Sequence, residues 1–187
     1  AGETALILGA SGGVGMAAIK LAKHFGATVV GTGSTQSKRD AILAAGADHA
    51  LDPAAEDLPG QVKSLTGGNG VNVVFDPVGG ALSIKATRAI AWGGRFLIVG
   101  FASGEIPSFP ANHALIKGYS LIGLRAGEAS RRDPDLAKRT QSALHGLAAT
   151  GAMRPHICQT FKLENTTDAL RALEARNIIG RAVITMP

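Results

Sequence analysis

Cysteine is almost absent from this sequence, since Cys158 is the only one in 187 residues. An intrachain disulfide is therefore impossible, and a zinc site built from several cysteines is excluded. Long apolar runs are missing too, because no stretch approaches the ~18 residues that a membrane-spanning helix needs. We also find no basic and apolar leader of the secretory type. These absences predict a folded protein that does not enter the membrane, with a cytoplasmic location as the default expectation.

Aromatic residues are scarce, at 4% of the chain, while the formal net charge is +5. An excess of lysine and arginine raises the question of an anionic partner, and nucleic acid is the first class to consider. Stacking platforms for bases need aromatic side chains, however, and the basic residues here do not form one block. Scattered solvated cations explain the charge better, so no nucleic-acid partner is predicted.

Strand-like and helix-like segments alternate over the first hundred residues. The strand-like segments are nearly continuous in valine, isoleucine and leucine, which is typical of parallel strands buried on both faces. They are Thr4–Gly9, Thr28–Thr32, His49–Leu51, Asn72–Asp76 and Arg95–Gly100. The helix-like segments are a first one with Val14, Ala17, Ala18, Leu21 and Phe25 on one face, then Ser37–Ala45, Asp57–Leu65 and Leu82–Ala91, which leads to a Gly93-Gly94 turn. This order predicts right-handed βαβ units in an α/β Rossmann fold.

The regular alternation of strand-like and helix-like segments ends after Gly100. A long connection with two prolines leads to a sixth strand, Tyr119–Leu124, and the segment Arg131-Arg132-Asp133 is interpreted as a solvated loop. A helix follows at Leu136–Thr150, with Leu136, Ala143, Leu144 and Leu147 on its apolar stripe. The remainder predicts a C-terminal strand–helix–strand appendage: His156–Leu163, Thr167–Arg176 and Ala182–Met186. The prediction is a doubly wound, six-stranded parallel sheet in residues 1–128, followed by residues 129–187 as a helix and return segment.

A cluster of glycines, "GASGGVG", marks the passage from the first strand to the first helix. Ala10, Gly12 and Gly15 fit the spacing A-x-G-x-x-G, and glycine lets an oxyanion approach the backbone at a helix N-terminus. Alone the motif is weak, but its place after a strand and before an amphipathic helix favours a pyrophosphate cradle. The alternative is a tight structural turn.

The end of the second strand bears on which dinucleotide is bound. NAD sites usually carry an acidic residue there, which bonds the ribose hydroxyls. In "VVGTGSTQSKRD" the expected end holds Gly33 and Ser34, the first acid is Asp40, and Lys38 and Arg39 lie nearby. A hydroxyl and two cations suit a 2′-phosphate, so NADP(H) is favoured over NAD. The alternative is that both cations are simply exposed on the second helix.

The same glycines also fit G-x-x-x-G-x-G at Gly9, Gly13 and Gly15, which resembles the short-chain dehydrogenases. Their chemistry requires a tyrosine four residues before a lysine. The only tyrosine is Tyr119, and four residues later stands Gly123. That interpretation fails on chemistry.

A second resemblance extends over nearly the whole chain. The segments "ILGASGGVGMAAIKLAKHFGATVVGT", "VFDPVGG", "GGRFLIVGFASG", "LIKGYSLIGL" and "NIIGRAVITMP" occur in family order and resemble the medium-chain dehydrogenase/reductase superfamily. The most similar branch is the zinc-free NADPH:quinone oxidoreductases. The resemblance implies hydride transfer from NADPH to a quinone or an α,β-unsaturated carbonyl, with no catalytic acid or base in this chain.

The resemblance also implies a set of cofactor-binding residues. Those beside the pyrophosphate are Ser11, Gly12, Gly13 and Val14. Those at the 2′-phosphate are Gly33, Ser34 and Lys38. Asp76, Pro77 and Val78 lie near the adenosine half, although Asp76 could simply shape its loop. Val99, Gly100, Phe101 and Leu124 flank the nicotinamide, and Asn177 and Arg181 belong to the closing motif.

Three further expectations follow from the resemblance. Where the family often has a tyrosine after the third strand, this chain has Asp52-Pro53, so cofactor affinity or selectivity is expected to be weaker. Family members carry a GroES-like catalytic domain before the glycine cluster, so the chain is interpreted as a fragment. Similar proteins pair their sixth strands, so a homodimer is expected.

Two alternatives to a quinone or enone reductase remain open. One is the cofactor domain of a zinc-dependent alcohol dehydrogenase, and the other is a dinucleotide-binding module without turnover. No metal site is predicted within the chain, since His156 and Cys158 lack further ligands at a matching spacing.

Overall fold

A computed structural model of the chain describes residues 1–186. Its core is one six-stranded parallel sheet in the order β3-β2-β1-β4-β5-β6. The strands are β1 (Thr4–Ile7), β2 (Thr28–Thr32), β3 (His49–Leu51), β4 (Val71–Asp76), β5 (Ile90–Ile98) and β6 (Ser120–Gly123). The predicted α/β doubly wound sheet is confirmed, and the strand order reverses between β1 and β4, which is where such sheets bind ligands.

Helices cover both faces of the sheet. They are α1 (Gly13–His24), α2 (Gln36–Ala44), α3 (Leu58–Leu65), α4 (Gly80–Thr87), α5 (Ala111–Lys117), α6 (Ala126–Arg132), α7 (Pro134–Ala149) and α8 (Thr166–Glu174). Because successive side chains of a strand point to opposite faces, Leu6 joins one apolar cluster and Ile7 the other. Both side chains are buried, as expected for a strand covered on two sides.

The end of the chain forms a separate small sheet. Strands β7 (Ile157–Lys162) and β8 (Arg181–Thr185) pair in parallel, with a 3₁₀ turn at Leu163–Asn165 and α8 between them. The predicted strand–helix–strand appendage is confirmed. The division of the chain at residue 128 stays a prediction.

Several predicted elements differ from the structure. The long connection after Gly100 contains α5, and the predicted loop at Arg131-Arg132 belongs to α6. Both are short helices whose residues are mostly exposed, so neither shows an apolar periodicity. Helix α4 ends at Thr87, and β5 passes through Gly93-Gly94 with a register shift instead of beginning after a turn.

The buried face of α1 also differs from its apolar stripe. Val14 is 50% exposed and Phe25 is 60% exposed, whereas Gly15, Met16 and Ile19 face the sheet. The close packing of Gly15 sets the rotation of the helix, and a periodicity count gives it no weight. The stripe of α7 is exposed as well, with Leu147 only partly buried.

Among the described residues, no helix is both long and apolar enough to cross a membrane.

Candidate dinucleotide-binding site

The turn after β1 is held by bonds to the neighbouring strand. The N–H of Gly9 donates to Thr32 Oγ1 at 3.1 Å, and the N–H of Ala10 donates to the Thr32 carbonyl at 3.1 Å. The N–H of Gly12 then donates back to the Gly9 carbonyl at 3.1 Å. Gly9 has φ +58°, a conformation that side chains disfavour. The glycine cluster is therefore a rigid turn at the carboxyl end of the sheet.

Gly15 lets α1 lie directly on this turn. A Cβ atom there would come within 2.6 Å of Ala10 Cα and 2.6 Å of the Gly9 carbonyl oxygen. Both neighbours are backbone atoms, which cannot rotate away. Close packing of α1 on the turn therefore requires glycine at position 15.

The N-terminus of α1 carries no side-chain cap. Its N-cap is Gly12, which has an extended conformation, and there is no acidic residue in the first turn. Side chains cap three other helices, with Thr35 on α2, Asp57 on α3 and Asp133 on α7, whereas α4, α5, α6 and α8 also lack such a cap. The first N–H groups of a helix have no intrahelical partner. In α1 these donors and the positive end of the helix dipole remain available for an anion.

A cleft of about 540 Å³ runs from this turn to the end of β2. Six predicted site residues line it: Ser11, Gly12, Gly33, Ser34, Lys38 and Val78. The turn after β2 has no carboxylate, and Thr35 Oγ1 accepts the N–H of Lys38 at 3.3 Å. Within residues 1–186, Lys38 forms no ion pair. At this end of the cleft, Ser34 thus offers a hydroxyl and Lys38 offers a cation without an ion-pair partner.

The closing motif is tied to the glycine turn. The N–H of Gly180 donates to the Ser11 carbonyl at 2.7 Å, and Gly12 and Gly180 form an isolated parallel bridge. A Cβ atom on Gly13 would lie 3.3 Å from Arg181 Nε. Gly13, Val14 and Arg181 line an adjoining pocket of about 300 Å³. A cation therefore lies beside the uncapped N-terminus of α1.

Asp76 supports its own turn. Its side chain is fully buried, with Oδ1 accepting the N–H groups of Val78 at 2.8 Å and Gly79 at 3.0 Å, and Oδ2 accepting the hydroxyl of Ser83. This carboxylate is occupied in shaping the β4–α4 loop. By holding the loop, it fixes Val78 at the wall of the cleft, where Val78 Cγ2 would lie 2.8 Å from a Cβ atom built on Gly9.

The predicted nicotinamide end lies across the tips of β4, β5 and β6. The N–H of Val99 donates to the Asp76 carbonyl at 2.8 Å, and that of Leu124 donates to the Ile98 carbonyl at 2.9 Å. Val99 and Leu124 line an open pocket of about 570 Å³. Gly100 lies near Pro77, Phe101 packs on Gly79, and Asn177 is exposed. Five predicted site residues line neither the cleft nor the pockets of about 300 Å³ and 570 Å³: Asp76, Pro77, Gly100, Phe101 and Asn177.

Glu128 is the acidic residue of this pocket. Hydrogen bonds from Arg132 and Arg131 hold the pKa of Glu128 below its usual value. The group is therefore a carboxylate at neutral pH and cannot donate a proton there.

Sequence reasoning missed part of the cleft. Pro53, Leu173 and Arg176 also line it. Arg176 is the one described residue other than glycine with a positive φ, +56°, and it closes α8, where the N–H of Asn177 donates to the Ala172 carbonyl at 3.0 Å. Pro53 follows β3, Leu173 lies in the last turn of α8 and Arg176 follows α8, so only the tertiary fold brings them to one cleft. A cation just before the closing motif was the available signal for Arg176.

Among residues 1–186, no three histidine, cysteine, aspartate or glutamate side chains are grouped so that they could hold a metal ion.

Comparisons with known proteins agree with this geometry. A sequence profile of the family described as zinc-binding dehydrogenase matches residues 13–142. A quinone oxidoreductase-like protein 2 homolog of Nematostella vectensis is 36% identical over 98% of this chain and 50% of its own length. The chain thus spans about half the length of the curated relatives it matches.

Solved structures give the same picture. A probable oxidoreductase from Mycobacterium abscessus superposes with a TM-score of 0.85 and 34% identity, covering 99% of this chain and 55% of that one. Quinone oxidoreductase of Escherichia coli, solved in complex with NADPH, superposes with a TM-score of 0.84 and 28% identity, covering 98% of this chain and 57% of that one.

Proposed function

Since this chain belongs to the zinc-binding dehydrogenase family, in the medium-chain dehydrogenase/reductase superfamily, we propose that it is the NADP(H)-binding half of an oxidoreductase. The proposed reaction passes a hydride to a quinone or an α,β-unsaturated carbonyl. The family resemblance noted from the sequence is confirmed. The acceptor, the dimer and the cytoplasmic location belong to the proposal.

The observation that carries the proposal is the uncapped N-terminus of α1. Its free N–H groups adjoin Gly12 and Gly13, which have no Cβ atoms, and Arg181 lies beside them. A pyrophosphate matches this combination of donors, cation and space. Ser34 and Lys38 line the same cleft at the end of β2. They suit a 2′-phosphate because the β2–α2 turn carries no carboxylate that would repel it.

Hydride transfer requires little more of this chain than positioning. When bound, the nicotinamide supplies the hydride. Val99 and Leu124, fixed by backbone bonds at the tips of β5 and β6, are placed to flank the ring. Orientation of this kind contributes a large share of the rate in enzymes. Glu128 is paired with Arg131 and Arg132, and we propose no proton-transfer step through it.

The family name refers to zinc. Residues 1–186 contain no group of side chains suited to the metal, so the proposal routes no step through it.

The cofactor preference gives the first test. NADPH should bind more tightly than NADH, and Lys38→Ala should weaken NADPH binding by about 1.5–3 kcal/mol, because a charge-assisted contact to the 2′-phosphate is lost. NADH binding should hardly change. Calorimetric titration of both cofactors measures this, with Lys138→Ala on the exposed surface of α7 as the matched control. Equal affinities of the wild type for the two cofactors would refute the preference.

The free edge of the sheet gives a second test. Strand β6 pairs with β5 on one side only, and Leu121 and Ile122 are 41% and 36% exposed. An apolar edge strand with unpaired backbone groups favours association, so we propose a homodimer in which β6 pairs with its symmetry mate.

Sedimentation equilibrium should therefore show a dimer, and Ile122→Lys should give a monomer because it places charge at the pairing edge. Ile184→Lys on β8 is the control, since Ile184 is also 36% exposed on a strand. A monomer at every concentration would contradict the proposal. So would a dimer lost only with Ile184→Lys.

A further inference from the structure

Arg39 follows Lys38 on α2, yet its side chain turns back from the cleft. Nη1 donates to the Gly33 carbonyl at 2.9 Å, and Nη2 donates to Gln36 Oε1 at 3.1 Å. Nη1 also lies 3.5 Å from Asp52 Oδ2. The guanidinium is thus held by the end of β2, the first turn of α2 and the end of β3 together.

Asp52 is fixed from the other side. Its Oδ1 accepts the N–H of Ala54 at 2.9 Å, and the next residue, Pro53, lines the cleft together with Gly33 and Ser34. The N–H of Gly33 donates to the carbonyl of Leu51 at 3.0 Å, so the ends of β2 and β3 are adjacent. A half-exposed carboxylate therefore lies at the same end of the cleft as Lys38.

We propose that Arg39 is a positioning residue for NADP(H) selectivity, which acts by neutralising Asp52 and not by touching the cofactor. This inference rests on the proposed function. A 2′-phosphate carries a charge between about −1.5 and −2 at neutral pH, and a carboxylate within a Debye length of ~8 Å would repel it. The ion pair removes that repulsion and leaves Lys38 as the attracting charge.

The arrangement separates two roles that neighbouring cations are often assumed to share. Lys38 lines the cleft and has no ion pair among the described residues, so its ammonium is available to the phosphate. Arg39 is only 21% exposed and its donors are already engaged. Removal of Arg39 leaves the negative charge of Asp52 uncompensated. Removal of Arg39 together with the charge of Asp52 leaves the pair with no net charge, as in the wild type.

A double-mutant cycle tests the inference. NADPH and NADH are titrated by calorimetry against the wild type, Arg39→Ala, Asp52→Asn and the double variant. Arg39→Ala should weaken NADPH binding about fivefold or more, because two charges at this range repel by that order in a partly screened medium. NADH binding should change less than twofold. Asp52→Asn alone should tighten NADPH binding, and the double variant should bind NADPH within twofold of the wild type, because it loses the positive and the negative charge of the pair together.

The other outcomes each overturn the inference. A double variant that binds NADPH as weakly as Arg39→Ala does would mean that Arg39 contacts the phosphate directly. Equal losses for NADPH and NADH would mean that Arg39 only holds the turn at Gly33. The control is Arg95→Ala, which removes another arginine–carboxylate pair, with Glu3 at 2.5 Å near the amino end of β1. If the wild type bound neither cofactor, the proposed function itself would fail.

Discussion

Replacing Gly15 with alanine should lower the free energy of unfolding by about 2 kcal/mol and abolish NADPH binding. The added Cβ would lie 2.6 Å from two backbone atoms of the glycine turn. Overpacking of this kind costs about 3 kcal/mol, and the helix propensity of alanine returns about 1 kcal/mol. Helix α1 must move away from β1, and its free N–H groups move with it. Urea unfolding and calorimetric titration measure the two effects.

The same replacement at Gly146 is the matched control. Gly146 lies in α7, and nothing comes within 4 Å of a Cβ atom built there. Alanine should therefore raise the free energy of unfolding by up to about 1 kcal/mol, since helix propensity acts alone. The account of the glycine turn would be wrong if both variants were stabilised.

The parts of the fold that the sequence predicted depend on local patterns. Buried parallel strands show continuous apolar runs, so β2 and β3 appear at their predicted bounds. The glycine turn was recognisable because Gly12 and Gly15 stand between a strand and a helix. The uncapped start of α1 and the acid-free end of β2 are likewise visible in the sequence, because each is defined by neighbouring residues.

The parts that could not be predicted depend on tertiary contacts. The rotation of α1 follows from one backbone approach at Gly15, whereas two residues of its predicted apolar stripe, Val14 and Phe25, lie exposed. Arg176 lines the cleft because the end of α8 lies across the cleft from the glycine turn. Arg39 and Asp52 are 13 positions apart and meet because β2 and β3 are neighbours.

The largest expected effect concerns turnover by these residues alone. The proposed cradle for the pyrophosphate lies within β1, α1 and the closing segment, so we expect this chain to bind the cofactor by itself. The pocket at Val99 and Leu124 is open, and the chain spans about half the length of its relatives. An acceptor there is neither oriented nor shielded from water, so the proximity contribution, which can reach about 7–11 kcal/mol, is lost. Quinone-dependent NADPH oxidation should stay at the uncatalysed background.

NADPH fluorescence and quinone-dependent NADPH oxidation, measured on one sample of this chain, test the central claim most directly. A Gly12→Val variant serves as the comparison, because Gly12 has an ordinary extended conformation and its side chain would fill the cradle. The account predicts saturable NADPH binding by the wild type, at least 100-fold weaker binding by a folded Gly12→Val, and no oxidation above background by either. Rapid oxidation by the wild type would show that the catalytic site is complete within these residues. The assignment of the cleft would be contradicted if the folded wild-type chain did not bind NADPH. It would also be contradicted if folded Gly12→Val bound NADPH as tightly as the wild type.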